Sequence, residues 1–343
     1  MLPTEMVLTD PLVVDLDLPD DLVDDGVCHT QGMAFDGDDL VLSCVVFDPE
    51  RPERKTSHSR ALLLRGAHEG ERAWRVTNIT EPVSADISRR VTRQELEREV
   101  LTADEAAIVR VMSHPSGLVE DAGRGGVWVA NAVYTAKSHT RLVLVGSDNE
   151  ILQSVDVPAE HVGAIALVRE RYMVGWTWDS KHVVVIDLGD GPAAPVVLPN
   201  PLLDSDDLVA IQDCYTWDDE HVLCSGMYKY TAGDGADEVR HRVGRLQLLH
   251  IDVSNFPRVT VRHIGYMSAD FGDGPTAQIG LRSYRVDEND EDVQLHENDY
   301  GGYVTHAELT HEAMTLSSDR RYMYFVPDDL PNGKMLRFTL RVP

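Results

Sequence analysis

Aromatic residues make up only 6% of the 343 residues, and lysine is scarcer still, with 5 against 26 arginines. The arginine excess reads as compositional rather than functional. No run approaches 18 apolar residues, so no segment is a candidate for a membrane-crossing helix. The start, Met1-Leu2-Pro3-Thr4-Glu5-Met6, has neither the basic region nor the apolar stretch of a secretory leader, which makes the cytoplasm the expected location. Positive charge is short: a net charge of −27 and a pI near 4.7 argue against binding a nucleic-acid backbone, which needs clustered Lys and Arg to displace counterions, and disfavour an anionic membrane. The four cysteines, Cys28, Cys44, Cys214 and Cys224, form no Cys-x-x-Cys pair, which excludes a zinc ribbon or thioredoxin-type site and leaves reduced, buried thiols as the expectation. There is no Gly-x-Ser-x-Gly elbow. Gly123-Arg124-Gly125-Gly126 precedes a strand and carries no Lys-Ser/Thr, so it is not a phosphate loop.

What the chain does have is a returning motif. Cys28-His29-Thr30-Gln31-Gly32-Met33-Ala34-Phe35-Asp36 is echoed by Ser113-His114-Pro115-Ser116-Gly117-Leu118-Val119 and by Glu160-His161-Val162-Gly163-Ala164-Ile165-Ala166. Looser versions start at Gln212-Asp213-Cys214 and Thr310-His311-Glu312-Ala313-Met314. After each come short apolar runs separated by turn residues, such as Val127-Trp128-Val129, Leu142-Val143-Leu144-Val145 and Ile151-Leu152 in the second unit. Four short strands per repeat are the content of one propeller blade. The fold expected is all-β, a five-bladed β-propeller in a single domain over 1–343, with six blades possible. The last unit has only three clear strands, and the N-terminal strand at residues 6–16 is the natural fourth, closing the ring without a free edge. Thr92, three before Glu95, signals a helical insertion over 81–111. The acidic stretch 268–309 reads as a second insertion, a solvated loop or lid.

Thr30-Gln31-Gly32 with Phe35-Asp36-Gly37-Asp38 resembles the opening of the plant-type glutaminyl cyclase propellers, which are five-bladed. The wider set, His114-Pro115-Ser116-Gly117, His161-Val162-Gly163, Gln212-Asp213-Cys214, and His311-Glu312-Ala313-Met314 with Tyr324-Phe325-Val326-Pro327-Asp328-Asp329, resembles a family of bacterial and fungal propellers that brings no assigned activity with it. Gluconolactonase and strictosidine-synthase propellers are similar in architecture only, and the calcium-ligand set of the former has no counterpart here. These resemblances imply a fold and leave the activity open.

In a propeller the first strand of each blade lines the axis, so residues at the start of the repeats converge on one mouth. Aligning the units on their small-apolar cores puts His29, His114 and His161 at one position, Gln212 and His311 one residue later, and Asp213 and Glu312 after them. Three imidazoles with His311 or a carboxylate would suit a divalent transition metal, Zn, Fe, Mn or Cu, able to activate water or polarise a carbonyl. Asp213 and Glu312 could alternatively act as general acid and base, with His311 beside them. The bland alternatives are histidines bonded to neighbouring backbone and carboxylates paired with arginines. Tyr134, Trp176, Trp178, Tyr228 and Tyr230 stand where a rim could hold a ring-shaped ligand. The expectation is a metal-dependent enzyme of hydrolase, lyase or cyclase type acting on a small molecule at the channel mouth, against a non-catalytic propeller binding a ligand or protein partner.

Overall fold

The computed structural model describes residues 1–23, 28–47, 59–67, 73–79, 114–132, 140–159, 161–189, 194–205, 208–232, 239–269, 282–286, 292–297, 311–327 and 334–343. The chain opens on β1 (Val7–Asp15) and one helical turn, α1 (Asp20–Val23). Blade 1 follows as β2 (Cys28–Asp36), β3 (Asp39–Phe47), β4 (Ser59–Ala67) and β5 (Arg75–Asn78). Blade 2 is β6 (His114–Asp121), β7 (Gly126–Ala132), β8 (Thr140–Gly146) and β9 (Ile151–Val157). Blade 3 is β10 (Val162–Val168), β11 (Tyr172–Thr177), β12 (His182–Asp187) and β13 (Val196–Pro199). Blade 4 is β14 (Ala210–Thr216), β15 (His221–Ala232), β16 (Val239–Asn255) and β17 (Arg258–Tyr266). Then come β18 (Ser268–Ala269), β19 (Arg282–Val286) and β20 (Asp292–Glu297), and blade 5 with β21 (His311–Leu316), β22 (Tyr322–Pro327) and β23 (Lys334–Arg341). Within each blade successive strands pair antiparallel, and β1 pairs antiparallel with β23 as the outer strand of blade 5. The chain is a five-bladed β-propeller.

The alternation of side chains along a strand explains why the inner strands are apolar on both faces: each face meets a different neighbouring blade. In β3, Leu40, Leu42, Cys44 and Val46 pack toward blade 5, with Met33, Tyr324 and Met335. Val41, on the other face, packs toward blade 2 with Val127, Val129 and Val143. Blades 2 and 3 meet through Trp128, Leu144, Ile165 and Val184, and blades 3 and 4 through Trp176, Val183, Val222 and Leu249. Blades 4 and 5 meet through Leu223, Leu246, Phe325 and Phe338. Five seams, each filled by its own cluster, close the ring. Leu16, Leu18 and Leu22, around α1, join the blade 1–blade 5 cluster and Leu8 the blade 4–blade 5 cluster, so the N-terminal segment buries apolar surface as well as supplying hydrogen bonds.

The expectation of free thiols is overturned, since Cys28–Cys44 and Cys214–Cys224 are disulfides. Each staples the first two strands of its blade: Cys214 and Cys224 are direct cross-strand partners, and Cys28 lies diagonal to Cys44. Disulfides are rare in cytosolic proteins, so these cystines pull against a cytoplasmic location. No helix among the described residues is long and apolar enough to cross a membrane.

The two ends of the propeller differ. At the end where the inner strands finish, the turn end, no connection exceeds the eight residues of 188–195, and the inner hairpins turn within 37–38, 122–125, 169–171, 217–220 and 317–321. At the end where the inner strands begin, the mouth end, the described strands end before and resume after the long intervals 16–27, 48–58, 79–113 and 267–310. The hairpin of β15 and β16 also runs past the start of β14, whose Ala210 pairs with Met227, and so projects from this end. The helical insertion expected over 81–111 lies outside the described residues. The acidic insertion is not wholly loop: β19 adds to the projecting part of β16 at Arg240, β20 adds to β19, and β18 lies parallel to β1.

Candidate functional site at the mouth of the axis

All five inner strands carry a β-bulge at the same level. Pairing slips between Thr30 and Gly32, between Pro115 and Leu118, between Val162 and Ala164, between Ile211 and Asp213, and between His311 and Ala313. The extra residues are Gln31, Ser116 (sharing Ala130 with Gly117), Gly163, Gln212 and Glu312. A bulge bends its strand and re-aims side chains, and here the device repeats around the axis. Counting from it, His29, His114 and His161 each stand two residues ahead, and His311 one. Gln212 sits at the bulge itself, a residue later than the repeat alignment had it, because the slip inserts a position that apolar spacing cannot register.

Below the bulges the axis is closed. Gly32 and Gly117 occupy equivalent positions where blades crowd: a Cβ on Gly32 would lie 2.6 Å from the Ser116 carbonyl oxygen, and one on Gly117 2.8 Å from Asp213 Oδ1 and 3.0 Å from the Ile165 nitrogen. Asp213, 0% exposed, fills the space that these glycines leave. Its Oδ1 accepts the N–H of Cys214 at 2.9 Å, its Oδ2 that of Met314 of blade 5 at 2.9 Å, and it accepts a further N–H from Met33 of blade 1. Burial lifts its carboxyl well above the usual carboxylate range, against the pull of those three donors. The sequence had set Asp213 as a general acid or base across an open channel. The geometry makes it an axial tie between blades 1, 4 and 5, pressed against blade 2.

His161 is 6% exposed, and its burial holds the imidazole down to a pKa of about 4, so it is neutral at pH 7. Its ring stacks on Trp178, centroids 6.0 Å apart and planes 16° apart, while its carbonyl accepts the Trp178 N–H at 2.7 Å. His29 is half-buried in β2. The side chains of His114, His311 and Glu312 lie outside the described residues, as do Tyr134 and the side chain of Tyr230. Among the described residues no group of three or more His, Cys, Asp or Glu could hold a metal ion. Trp176 belongs to the core between blades 3 and 4, not to a rim. Trp178 does belong to the rim. Tyr228 lies under the guanidinium of Arg245, 3.5 Å from the ring centroid.

The turn end holds what sequence reasoning missed. Arg65 of blade 1, 1% exposed, pairs with Asp36 and donates to Asn149 Oδ1 at 3.1 Å and the Gly146 carbonyl at 3.2 Å in blade 2. Arg124 of blade 2 donates to the Glu170 and Leu188 carbonyls of blade 3. Arg169 of blade 3 pairs with Glu220 of blade 4, and Arg320 of blade 5 donates to the Trp217 carbonyl of blade 4 at 2.6 Å. Four seams are thus stitched by arginine, whose planar guanidinium holds its donors in a rigid fork on a long stem. Part of the arginine excess is structural. With short turns and these stitches, the turn end is a scaffold, and variable surface is left to the mouth end.

No protein-family model matches the chain, and no curated protein does. Among solved structures, virginiamycin B lyase from Staphylococcus aureus aligns over 96% of this chain and 98% of its own at 10% identity, with a TM-score of 0.40. U3-55K aligns over 95% and 98% at 8% identity and 0.42, and the Dos1 propeller over 91% and 68% at 10% and 0.35. At these values none of them lends its activity to this chain.

Proposed function

We propose that this protein binds a small molecule at the mouth end of the propeller, over the closed axis. One observation carries the reading: the end at which five bulges and the in-register histidines gather is also the end to which the chain assigns every long connection, and loops set on a rigid scaffold are where binding groups concentrate. The floor of the site is the tie around Asp213, and its walls are the starts of the inner strands. A thermal-shift screen of a metabolite library tests it. Hits whose stabilisation is lost in His29→Ala but kept in Asp148→Ala, a change at the turn end, support the reading, and hits indifferent to His29→Ala overturn it.

A second reading, a metal-dependent hydrolase, lyase or cyclase, is favoured by the three histidines sharing one position. Ligating imidazoles must be neutral, as His161 is at pH 7. Here His29, His114 and His161, with His311 or Glu312, would hold Zn, Fe, Mn or Cu. Near-stoichiometric transition metal in purified protein, lost in His114→Ala, supports this reading. Metal-free protein whose melting temperature ignores chelators overturns it.

A further inference from the structure

We propose that the ligand of the mouth site is a neutral, hydroxyl-bearing ring, a sugar, stacked on Trp178 and bonded by the polar bulge residues. The inference rests on the mouth end being the binding face, and three observations on that face point to it. First, Trp178 is the one tryptophan with half its surface in solvent, 52%, while Trp128, Trp176 and Trp217 are buried and Trp74 is half-buried. Its backbone N–H bonds the His161 carbonyl, one side of the ring lies against the buried imidazole, and the following turn is fixed by Thr177 Oγ1 donating to Asp179 at 2.7 Å. A preorganised indole loses little freedom when a ring lands on it.

Second, the indole lies beside the bulge of its own blade. Blade 3 alone has glycine at the bulge, and a Cβ on Gly163 would sit 3.7 Å from Trp178 Cδ1. The other blades have polar residues there, Gln31, Ser116, Gln212 and Glu312, so the level of the bulges sets one aromatic residue among two amides, a hydroxyl and a carboxylate. Third, Ser116, 3% exposed, has an Oγ with no hydrogen-bond partner among the described residues, a state shared with a few other buried side-chain atoms and one that a bound hydroxyl would relieve. Among the described residues Gln31 Nε2 donates to its neighbour's carbonyl at a long 3.4 Å. Amides and a hydroxyl pair with vicinal hydroxyls as both donors and acceptors, whereas an anionic ligand would meet a chain of net charge −27.

The test is saturation-transfer NMR and tryptophan fluorescence on the full chain, with a panel of methyl hexosides, their disaccharides, nucleosides and neutral indoles at millimolar concentration. The expected result is binding by at least one sugar, weakened about tenfold or more in Trp178→Ala and in Ser116→Ala, with Trp178→Ala melting as wild type does because the side chain is exposed. Binding of nucleosides or indoles alone, still dependent on Trp178, overturns the sugar and keeps the site. Sugar binding that ignores Trp178→Ala, or no binding by any sugar of the panel, overturns the inference. If His29→Ala and Trp178→Ala are both without effect on every ligand that binds, the mouth reading falls with it.

Discussion

Replacing Asp213 with alanine strips the acceptor from three buried N–H groups, those of Cys214, Met314 and Met33. A buried donor left unpaired costs roughly 1–3 kcal/mol, so the three together set a gross loss of about 3–9 kcal/mol. Relief of the buried carboxyl's own desolvation offsets part of this, and the net expectation is a loss of at least about 3 kcal/mol. For a chain of this length that is a fall of roughly 4 °C or more in melting temperature. Urea unfolding at pH 7 measures it, with Asp219→Ala, an exposed turn carboxylate, as the control expected within about 0.5 kcal/mol of wild type. The pH dependence has a definite sign. Because the folded-state pKa of Asp213 is raised, the folded protein holds a proton that the unfolded chain has released; its stabilising effect is complete below about pH 4 and is lost as pH rises through the folded value. Asp213→Asn keeps the shape and removes the titration, so the advantage of wild type over this variant shrinks as pH increases. An advantage that grows with pH, or an Asp213→Ala protein within 1 kcal/mol of wild type, refutes the axial tie.

Gly117→Ala places a Cβ 2.8 Å from Asp213 Oδ1 and is expected to cost about 1–3 kcal/mol by the same unfolding measurement, whereas alanine at Gly163, with nothing nearer than 3.6 Å, is tolerated. Arg65→Met leaves Asp36 unpaired at 17% exposure and should destabilise by roughly 2–3 kcal/mol, less than a fully buried pair would, with no effect on ligand binding at the opposite end. Thiol titration of denatured, unreduced protein should find no free cysteine, and peptide mapping should give Cys28–Cys44 and Cys214–Cys224. Loops of 16 and 10 residues make each bridge worth about 3 kcal/mol, so reduction should lower the urea midpoint clearly.

The blades were legible because the strands in the middle of a blade are buried on both faces and each outer strand is half-exposed, and that difference is written directly in apolar runs such as Val127-Trp128-Val129 and in mixed ones such as Ile151-Leu152-Gln153-Ser154. Ring closure by residues 6–16 was legible by subtraction, since the last unit lacked a fourth strand. Contacts between blades were not. Arg65 and Asn149 are 84 residues apart, and nothing local distinguishes a stitching arginine from a solvated one. Nor did spacing foretell the cystines, because pairing Cys214 with Cys224 requires the hairpin register first. Asp213 follows directly on Gln212 and reads with Glu312 as a candidate acid–base pair. The bulge separates the fates of Gln212 and Asp213, leaving the amide half-buried at the mouth and the carboxylate sealed below it. The strands at 282–286 and 292–297 sit in a stretch so polar that composition favoured loop, and the first of them joins a hairpin extension that is itself not apolar while the second pairs with the first.

Closure by β1 and β23 also fixes how the ring responds to force. Val7 faces Arg341 and Asp15 faces Lys334, so the two ends of the chain leave the last sheet side by side. A pull applied between them peels this ladder one rung at a time instead of shearing all rungs together. The ring should therefore open at that pair of strands under modest load, while the other four blades stay intact.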